Sequence, residues 1–220
     1  MPLSLVVFDL DGTLVDSAAD LAVAINAMLA DLGREPLSVP AVRRMIGDGV
    51  AMLVTRALAA RDCPQADPET AARIFMRHYE SRATALTTAF PGAADALRAL
   101  RDAGIPLAVC TNKPARISAE ILDSLGLAAY FARVIGGDSL PFRKPDPRVL
   151  LALLESFAAR PEDSLLVGDS EVDAATARAA GVPFVLMKHG YRRGPAEEIP
   201  CIAALDDFGA LPAATRALPR

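Results

Sequence analysis

One short stretch decides the fold, residues 5–14, which reads Leu5-Val6-Val7-Phe8-Asp9-Leu10-Asp11-Gly12-Thr13-Leu14. Its apolar beginning is rich in β-forming residues and predicts a strand that is buried on both faces. Side chains two positions apart on an extended chain point the same way, so we expect Asp9 and Asp11 to emerge on one side of the strand end. Because open parallel sheets bind ligands just beyond the carboxyl ends of their strands, the stretch predicts a ligand site there.

The composition narrows the class of protein. The chain has 220 residues, of which 52% are hydrophobic and only 5% aromatic, so we expect an aliphatic core. A net charge of −4 argues against a nucleic-acid partner, which needs a basic surface, and against a polybasic membrane anchor. No apolar run approaches the roughly 18 residues of a membrane span. The first run is interrupted by acids and does not have the pattern of a signal peptide.

The cysteines predict a reducing, cytoplasmic setting. There are three, Cys63, Cys110 and Cys201, and they are widely spaced with no Cys-x-x-Cys pair. An odd number at this spacing does not form a disulfide framework.

After residue 90, short apolar segments alternate with helical patterns. Strands joined through helices need crossover connections and form a parallel sheet, so the predicted fold class is α/β. The tail from Arg192 has no clear pattern, and we expect it to be mostly irregular. The predicted strands are residues 5–8, 106–111, 134–135, 164–167 and 184–187.

The segment that follows the first strand breaks this alternation because its patterns are all helical. We expect an inserted helical domain over residues 15–88 and a core domain made of residues 1–14 and 89–220. The chain crosses between the two domains near residues 14–16 and again near 87–90, which suits a hinge. The predicted helices of the insert are residues 17–32, 41–46, 50–58 and 69–86, with a loop at 62–68.

Polar residues follow four of the predicted strands, and in a parallel sheet these ends fall on one rim. Several carboxylates in one cleft either raise a pKa or need a cation. Oxygen ligands without His or Cys favour Mg²⁺ over zinc. With a lysine as a further positive charge, such a site suits a phosphoryl group. The residues are Asp9 and Asp11, Thr111 and Asn112, Lys144, and Asp169 and Asp173.

No Ser-His or Cys-His pair stands out as a nucleophile, and the two histidines, His78 and His189, have no evident catalytic partner. A carboxylate can attack phosphorus directly and form an aspartyl-phosphate, a role that suits Asp9. Asp11 could then protonate the leaving oxygen and later deprotonate water. Thr111 and Asn112 could donate hydrogen bonds to phosphoryl oxygens.

These motifs, in this order, resemble those of the haloacid dehalogenase superfamily over nearly the whole chain. The motifs are Asp9-Leu10-Asp11-Gly12-Thr13, Thr111-Asn112, Lys144-Pro145, and Gly168-Asp169-Ser170 with Asp173. The resemblance implies a Rossmann-like sheet with a helical cap inserted after the first motif. A second Asp in the first motif separates the chain from the dehalogenases proper, which generally lack it.

The same resemblance implies a role for each motif residue. Asp9 would be the nucleophile and Asp11 the general acid and base. Magnesium would be held by Asp9, the main-chain oxygen of Asp11, and Asp169. Thr111 and Lys144 would bind phosphate, and Asp173 would support the metal ligands.

The insert would select the substrate, and residues 43–58 resemble the cap of bacterial phosphoglycolate phosphatases. In such caps a loop, here Gly47 to Gly49, faces the active site, although a simple turn between helices is an equal interpretation. A small substrate with a carboxylate would favour a nearby cation, but the sequence does not choose among Arg43, Arg44 and Arg56.

The leading interpretation is a magnesium-dependent phosphatase of a small phosphate ester, foremost 2-phosphoglycolate, acting through an aspartyl-phosphate. The same motifs allow a sugar-phosphate phosphatase, a β-phosphoglucomutase-like enzyme or a pyrophosphatase. A phosphate-binding module without turnover is disfavoured because it does not need both carboxylates of the Asp9 and Asp11 pair.

Overall fold

The computed structural model describes residues 3–63 and 65–216. It confirms the α/β fold class, with helices on both faces of a parallel sheet. The strands are β1 (Leu5–Phe8), β2 (Val15–Asp16), β3 (Thr88–Ala89), β4 (Leu107–Cys110), β5 (Arg133–Ile135), β6 (Ser164–Gly168), β7 (Phe184–Met187) and β8 (Ala203–Leu205). The α-helices are α1 (Ala18–Asp31), α2 (Val39–Arg43), α3 (Val50–Ala59), α4 (Pro68–Glu80), α5 (Ala93–Asp102), α6 (Ala115–Ser124), α7 (Pro147–Ser156), α8 (Glu171–Ala180) and α9 (Leu211–Arg216).

The main sheet has six strands in the order β5-β4-β1-β6-β7-β8, and every neighbouring pair is parallel. β1 therefore lies inside the sheet, between β4 and β6. Phe8 stands opposite Val109 on one side and Val167 on the other. This register brings the ends of the three strands to the same level, so the residues that follow them share one rim.

The alternation of side chains along β1 supplies both layers of the core. Val6 and Phe8 join the apolar cluster on one face, with α5 and α6, whereas Leu5 and Val7 join the cluster on the other face, with α7 and α8. All four side chains are fully buried. Burial of each contributes roughly 1.5–3 kcal/mol, so the strand that carries Asp9 is firmly held.

Helices α1 to α4, called the helical insert below, lie between β2 and β3. These two strands pair antiparallel, with Val15 opposite Ala89 and Asp16 opposite Thr88. The expectation that residues 15–88 contain no strand was therefore wrong. Strands of two residues are too short to leave a periodic signal in the sequence.

The last helix of the insert is shorter than predicted. The pattern predicts a helix over residues 69–86, but α4 ends at Glu80, and Leu86 is half exposed. Asp20, buried in α1, accepts hydrogen bonds from the main-chain nitrogens of Leu86 and Thr87, each at 2.8 Å. This contact holds residues 86–87 as a returning segment and not as helix.

The second helix begins earlier than predicted. The pattern predicts residues 41–46, whereas α2 covers Val39–Arg43 and places Pro40 in its first turn. Proline is well tolerated there because the first turn needs no donor from its nitrogen. Ser38 caps this end by accepting a hydrogen bond from Ala41 N.

The tail is more regular than expected. β8 adds an edge strand to the sheet, and α9 follows it. A three-residue strand beside Ala-rich and Pro-rich sequence gives little periodic signal. Residues 217–220 of the predicted irregular tail, and Pro64 of the predicted 62–68 loop, lie outside the described residues. Within the described ranges, no helix has the length and apolar character that crossing a membrane requires.

Candidate active site

The rim of the sheet gathers three acidic side chains. Asp9 follows β1, Asp169 follows β6, and Asp173 lies in the first turn of α8. All three are buried, and one carboxylate oxygen of each lies within 4.8 Å of the others. Residues far apart in the chain thus form one cluster, called the acidic cluster below.

Lys144 compensates part of this negative charge. Its Nζ lies 2.7 Å from Asp9 Oδ1 and 2.6 Å from Asp173 Oδ1, in a buried position. Burial favours the neutral amine, but the carboxylates of Asp173 and Asp9 outweigh it and raise the pKa of Lys144. The lysine is therefore a fixed cation between the two acids.

The acidic cluster still lacks positive charge. Burial raises the pKa of Asp9 to about 7 against the opposing charge of Lys144. Burial, followed by the charges of Asp173 and Asp9, raises the pKa of Asp169 well above its ordinary value. Asp9 Oδ1 accepts no well-directed hydrogen bond from the described residues. Carboxylates alone form the donor set, which fits a hard divalent cation.

Asp169 is held in one orientation by partners from two loops. Thr13 Oγ1 donates to Asp169 Oδ1 at 2.8 Å, and Tyr191 N donates to Oδ2 at 2.6 Å. A Cβ at Gly190 would lie 2.1 Å from Asp169 Cβ, and a Cβ at Gly12, where φ is +87°, would lie 2.5 Å from Asp169 Oδ2. Only glycine fits these two positions.

Asp173 joins the acidic cluster to the start of α8. Its Oδ2 accepts hydrogen bonds from Ser170 Oγ at 2.6 Å and Ser170 N at 3.2 Å, while Ser170 Oγ accepts from Asp173 N. This is a reciprocal capping box, which satisfies free donors at a helix start. Since its other oxygen faces Lys144, the side chain is fixed at both oxygens.

Asp11 has different surroundings from the acidic cluster. Ser17 Oγ donates to Asp11 Oδ1 at 2.6 Å, and Lys113 Nζ lies 3.0 Å from both carboxylate oxygens. Burial would lower the pKa of Lys113, but the adjacent Asp11 outweighs it and raises that pKa. Sequence reasoning did not select Lys113, although it directly follows Thr111-Asn112.

Thr111 and Asn112 are both buried after β4. Thr111 Oγ1 accepts a hydrogen bond from Lys113 N at 3.2 Å. Asn112 Nδ2 donates to Gly47 O at 3.0 Å and to Lys144 O at 2.9 Å. Both amide hydrogens of Asn112 are thus engaged with main-chain oxygens, and this residue ties the sheet rim to the helical insert.

The loop at Gly47 and Gly49 does reach the rim. The φ angles of the two glycines are +120° and +86°. A Cβ at Gly49 would lie 3.3 Å from Asn112 O, so the chain approaches the rim closely at this point. Both glycines border a pocket of about 40 Å³ between the rim and the insert.

The three arginines considered for a substrate carboxylate do not line this pocket. Arg43 Nη2 donates to His189 O at 2.9 Å, and its guanidinium lies 4.8 Å from the centre of the Tyr191 ring. Arg56 pairs with Asp48 at 2.5 Å. Arg44 is exposed.

Neither histidine reaches the acidic cluster. His78 faces Asp31 at 2.8 Å on the outside of the insert. His189 Nε2 lies 3.1 Å from Thr13 O, and its ring packs between Phe90 and Phe208. These contacts indicate structural roles for both side chains.

Tyr191 is a second residue that sequence reasoning missed. Its hydroxyl donates to Asp16 Oδ1 at 2.6 Å and accepts from Ser17 N at 2.8 Å. The same residue donates its main-chain N–H to Asp169. One residue thus joins the acidic cluster to the connection between β2 and the helical insert.

Comparisons with known proteins identify the family of the chain. Residues 6–187 match the family model described as haloacid dehalogenase-like hydrolase. A phosphoglycolate phosphatase of Rhodospirillum rubrum is 46% identical over 212 residues, which cover 94% of this chain and 88% of that protein. One from Cereibacter sphaeroides is 49% identical over 197 residues, covering 89% of each chain.

A solved structure extends the likeness to the whole fold. The crystal structure of a predicted phosphoglycolate phosphatase from Haemophilus somnus superimposes with a TM-score of 0.91 at 33% identity, covering 97% of this chain and 98% of that one. The family match, the close relatives and this structure agree with the resemblance found in the sequence motifs. The chain belongs to the haloacid dehalogenase-like hydrolase family.

Proposed function

We propose that this protein is a magnesium-dependent phosphatase that hydrolyses 2-phosphoglycolate to glycolate and phosphate. The observation that carries the proposal is the buried acidic cluster with Lys144 at the sheet rim. Relatives at 46% and 49% identity that bear the name phosphoglycolate phosphatase support the substrate.

Asp9 is the proposed nucleophile. Its carboxylate attacks phosphorus, the bond from phosphorus to the ester oxygen breaks, and an aspartyl-phosphate forms. Asp11 gives a proton to the departing glycolate oxygen and then takes one from the water that hydrolyses the intermediate. Thr111 and Lys144 bind the phosphoryl oxygens, and Asn112 holds the adjacent loop.

The side chains of Asp9 and Asp169 and the main-chain oxygen of Asp11 are the proposed magnesium ligands. Asp173 supports them by fixing Lys144 and the start of α8. When bound, the ion neutralises charge on the phosphoryl group. The repulsion that raises the pKa of Asp169 would then be relieved.

We also propose that residues 1–14 and 89–220 form the core domain and that residues 15–88 form the cap. The pairing of β2 with β3 at the two crossings supports this division. Gly47 and Gly49 would bring the cap backbone to the substrate. A cytoplasmic location and the absence of nucleic-acid and membrane partners are consistent with the free cysteines and the net charge of −4.

A substrate panel tests the proposal. Purified protein is given 2-phosphoglycolate, a hexose phosphate, β-glucose 1-phosphate and pyrophosphate at equal concentration, with magnesium or with a chelator. We expect the highest kcat/KM on 2-phosphoglycolate and no turnover with the chelator. A higher kcat/KM on another compound of the panel would assign the protein to a different substrate within the family.

Single-turnover hydrolysis in heavy-oxygen water shows which atom the water attacks, and trapping of the intermediate tests the covalent step. Water attacks the phosphorus of the aspartyl-phosphate, so the first turnover places label in phosphate, whereas attack at the carboxyl carbon would label Asp9. Trapping a phosphorylated Asp9 with rapid acid quench distinguishes the covalent route from direct attack by water. Its absence at every time point, in an enzyme that turns over, would reject the aspartyl-phosphate.

A further inference from the structure

The pocket between the rim and the helical insert contains a cation that the phosphoryl chemistry does not use. Among the described residues that line this pocket, Lys113 is the only one with a positive charge. Its side chain is 3% exposed, and its Nζ lies 3.0 Å from both oxygens of Asp11. A buried ammonium is costly without anionic partners, and among the described residues Asp11 is the one carboxylate that pairs with Lys113.

Tyr79 also lines this pocket. The side chain comes from α4 of the insert and is 1% exposed. The Lys113 ammonium lies over the face of the ring, 4.8 Å from its centre. The Tyr79 hydroxyl has no well-directed hydrogen-bond partner among the described residues, which is unusual for a buried hydroxyl, although the Lys113 ammonium is close enough to act on its pKa.

We propose that Lys113 and Tyr79 form the subsite that binds the carboxylate of the substrate. The inference rests on the proposed function and adds the group that recognises the part of 2-phosphoglycolate that does not react. A carboxylate accepts hydrogen bonds and carries negative charge, so it complements an ammonium and a free hydroxyl. One partner lies in the core and the other in the insert, so the substrate joins the two.

The position of Asp11 fixes where that carboxylate must lie. In 2-phosphoglycolate the carboxylate carbon is only two bonds from the ester oxygen. Asp11 is the proposed proton donor to this oxygen, and Lys113 Nζ is already 3.0 Å from Asp11. A carboxylate attached to the leaving group therefore comes within reach of the same ammonium.

Charge balance supports the same assignment. Without a nearby cation, the substrate carboxylate would repel Asp11 in a site shielded from water, where such repulsion is strong. Lys113 lines the pocket and offsets it, whereas Arg43 and Arg56 lie outside the pocket lining and contact His189 O and Asp48. Lys113 thus replaces the arginines as the cation for the carboxylate.

Two matched esters separate carboxylate recognition from the chemistry. Ethyl phosphate has a methyl group where 2-phosphoglycolate has the carboxylate, and the phosphoryl end is the same. The measurement is the ratio of kcat/KM for 2-phosphoglycolate to kcat/KM for ethyl phosphate. A loss that arises through Asp11 lowers both rates and cancels in this ratio.

We expect Lys113→Met to lower the ratio about 100-fold and Tyr79→Phe to lower it about tenfold, the scale of one charged and one neutral hydrogen bond. Most of the change should appear in KM for 2-phosphoglycolate. Lys188→Met and Tyr130→Phe are matched controls away from the pocket, and they should leave the ratio unchanged. Circular dichroism checks the fold of each variant, and Tyr79→Phe retains the test if Lys113→Met does not fold.

The outcomes distinguish this inference from the proposed function. Wild-type turnover of 2-phosphoglycolate with an unchanged ratio in Tyr79→Phe and Lys113→Met overturns the subsite alone. Equal losses on both esters would make Lys113 a partner of Asp11 only and would also overturn it. Absence of wild-type turnover of 2-phosphoglycolate defeats the proposed function and the subsite together.

Discussion

The two walls of the pocket have opposite chemical character. The wall formed by the sheet rim is polar and charged, whereas the wall formed by the helical insert is apolar apart from one hydroxyl and main chain. The rim contributes Asp9, Asp11, Thr111, Asn112, Lys113 and Pro114. The insert contributes Leu21, Ile46, Gly47, Gly49, Val50, Leu53 and Tyr79.

This difference separates reaction from selection. The charged groups are held by buried strands, where a small displacement would cost packing energy. The apolar wall sits on a segment connected to the core by the two short strands β2 and β3. Changes in the rim, apart from the carboxylate-binding Lys113, should therefore affect all substrates alike, whereas changes in the insert should alter which substrate is preferred.

The substitution expected to have the largest effect on activity is Asp9→Asn in the rim. An amide of nearly the same shape is a poor nucleophile, so we expect kcat to fall by at least about 10⁴-fold on 2-phosphoglycolate and on ethyl phosphate, the scale seen when a catalytic nucleophile is removed. Steady-state assays of both esters measure the loss. Asp206→Asn, at an acid on the surface, is the control. More than about one-hundredth of wild-type activity in Asp9→Asn would contradict its role.

The second test changes the charge of the rim through pH. The pKa of Asp9 is about 7 in the folded protein against 3.8 as the ordinary value. Between these two pH values the folded state therefore binds more protons than the unfolded state. The contribution of Asp9 to the free energy of unfolding without metal should be greatest below pH 3.8 and should decline as the pH rises to 7. The slope for one such group is about 1.4 kcal/mol per pH unit. Asp169, whose pKa is also raised, adds to the decline.

Magnesium should reverse this decline because it binds the deprotonated carboxylates and only the folded state. Urea unfolding at several pH values, with magnesium or with a chelator, measures the effect. We expect the gain from magnesium to grow as pH rises, and we expect Asp9→Asn to weaken the pH dependence of stability without metal, leaving the part that belongs to Asp169. A gain from magnesium that is the same at every pH would count against the acidic cluster as its site.

The rim could be predicted from sequence because of a simple geometric rule. Asp9 and Thr111 follow an apolar run directly, and only Gly168 separates Asp169 from one. Parallel strands bring such ends together whatever their separation in the chain. The order of the strands was not needed for this step. The prediction required only that the strands be parallel, which their alternation with helices indicates.

The partners of these residues could not be predicted, because they depend on tertiary contacts. From the sequence alone, Lys113 resembles a solvated loop lysine. Its contact with Asp11 follows only from the pairing of β4 with β1, which brings the two strand ends together. Tyr79 has the spacing of an ordinary buried residue of α4, and its free hydroxyl becomes evident only in the pocket. Gly190 and Tyr191 lie in a segment without periodicity, and only their contacts with Asp169 reveal their importance.

Leu53→Ala tests the apolar wall. Leu53 is 4% exposed and lines the pocket from α3, so its loss creates space and should cost about 2–5 kcal/mol of stability. 2-Phospholactate differs from 2-phosphoglycolate by one methyl group, which the added space can accept. We expect kcat/KM for 2-phospholactate relative to 2-phosphoglycolate to rise about tenfold, the scale of one methylene in a pocket.

The surface substitution Leu151→Ala is the matched control, because this leucine is 39% exposed on α7. It should leave both stability and the ratio of the two esters nearly unchanged. If Leu53→Ala lowers kcat/KM for both esters in equal proportion, the insert wall does not select by size. The proposed division between the two walls would then fail on this side.

The smallest effect belongs to Ser17, which lies at the junction of the two walls. Its Oγ donates to Asp11 Oδ1 at 2.6 Å, while its main-chain N donates to Tyr191 and survives any substitution except proline. Asp11 keeps Lys113 as a partner when the hydroxyl is removed, so Ser17→Ala should lower kcat about threefold, or ~0.7 kcal/mol. Asp11 acts on the ester oxygen that 2-phosphoglycolate and ethyl phosphate share, so both rates should fall equally. Ser17→Thr retains the hydroxyl and should restore both rates. A loss of rate confined to 2-phosphoglycolate would instead show that Ser17 acts with Lys113 and Tyr79 in selecting the substrate.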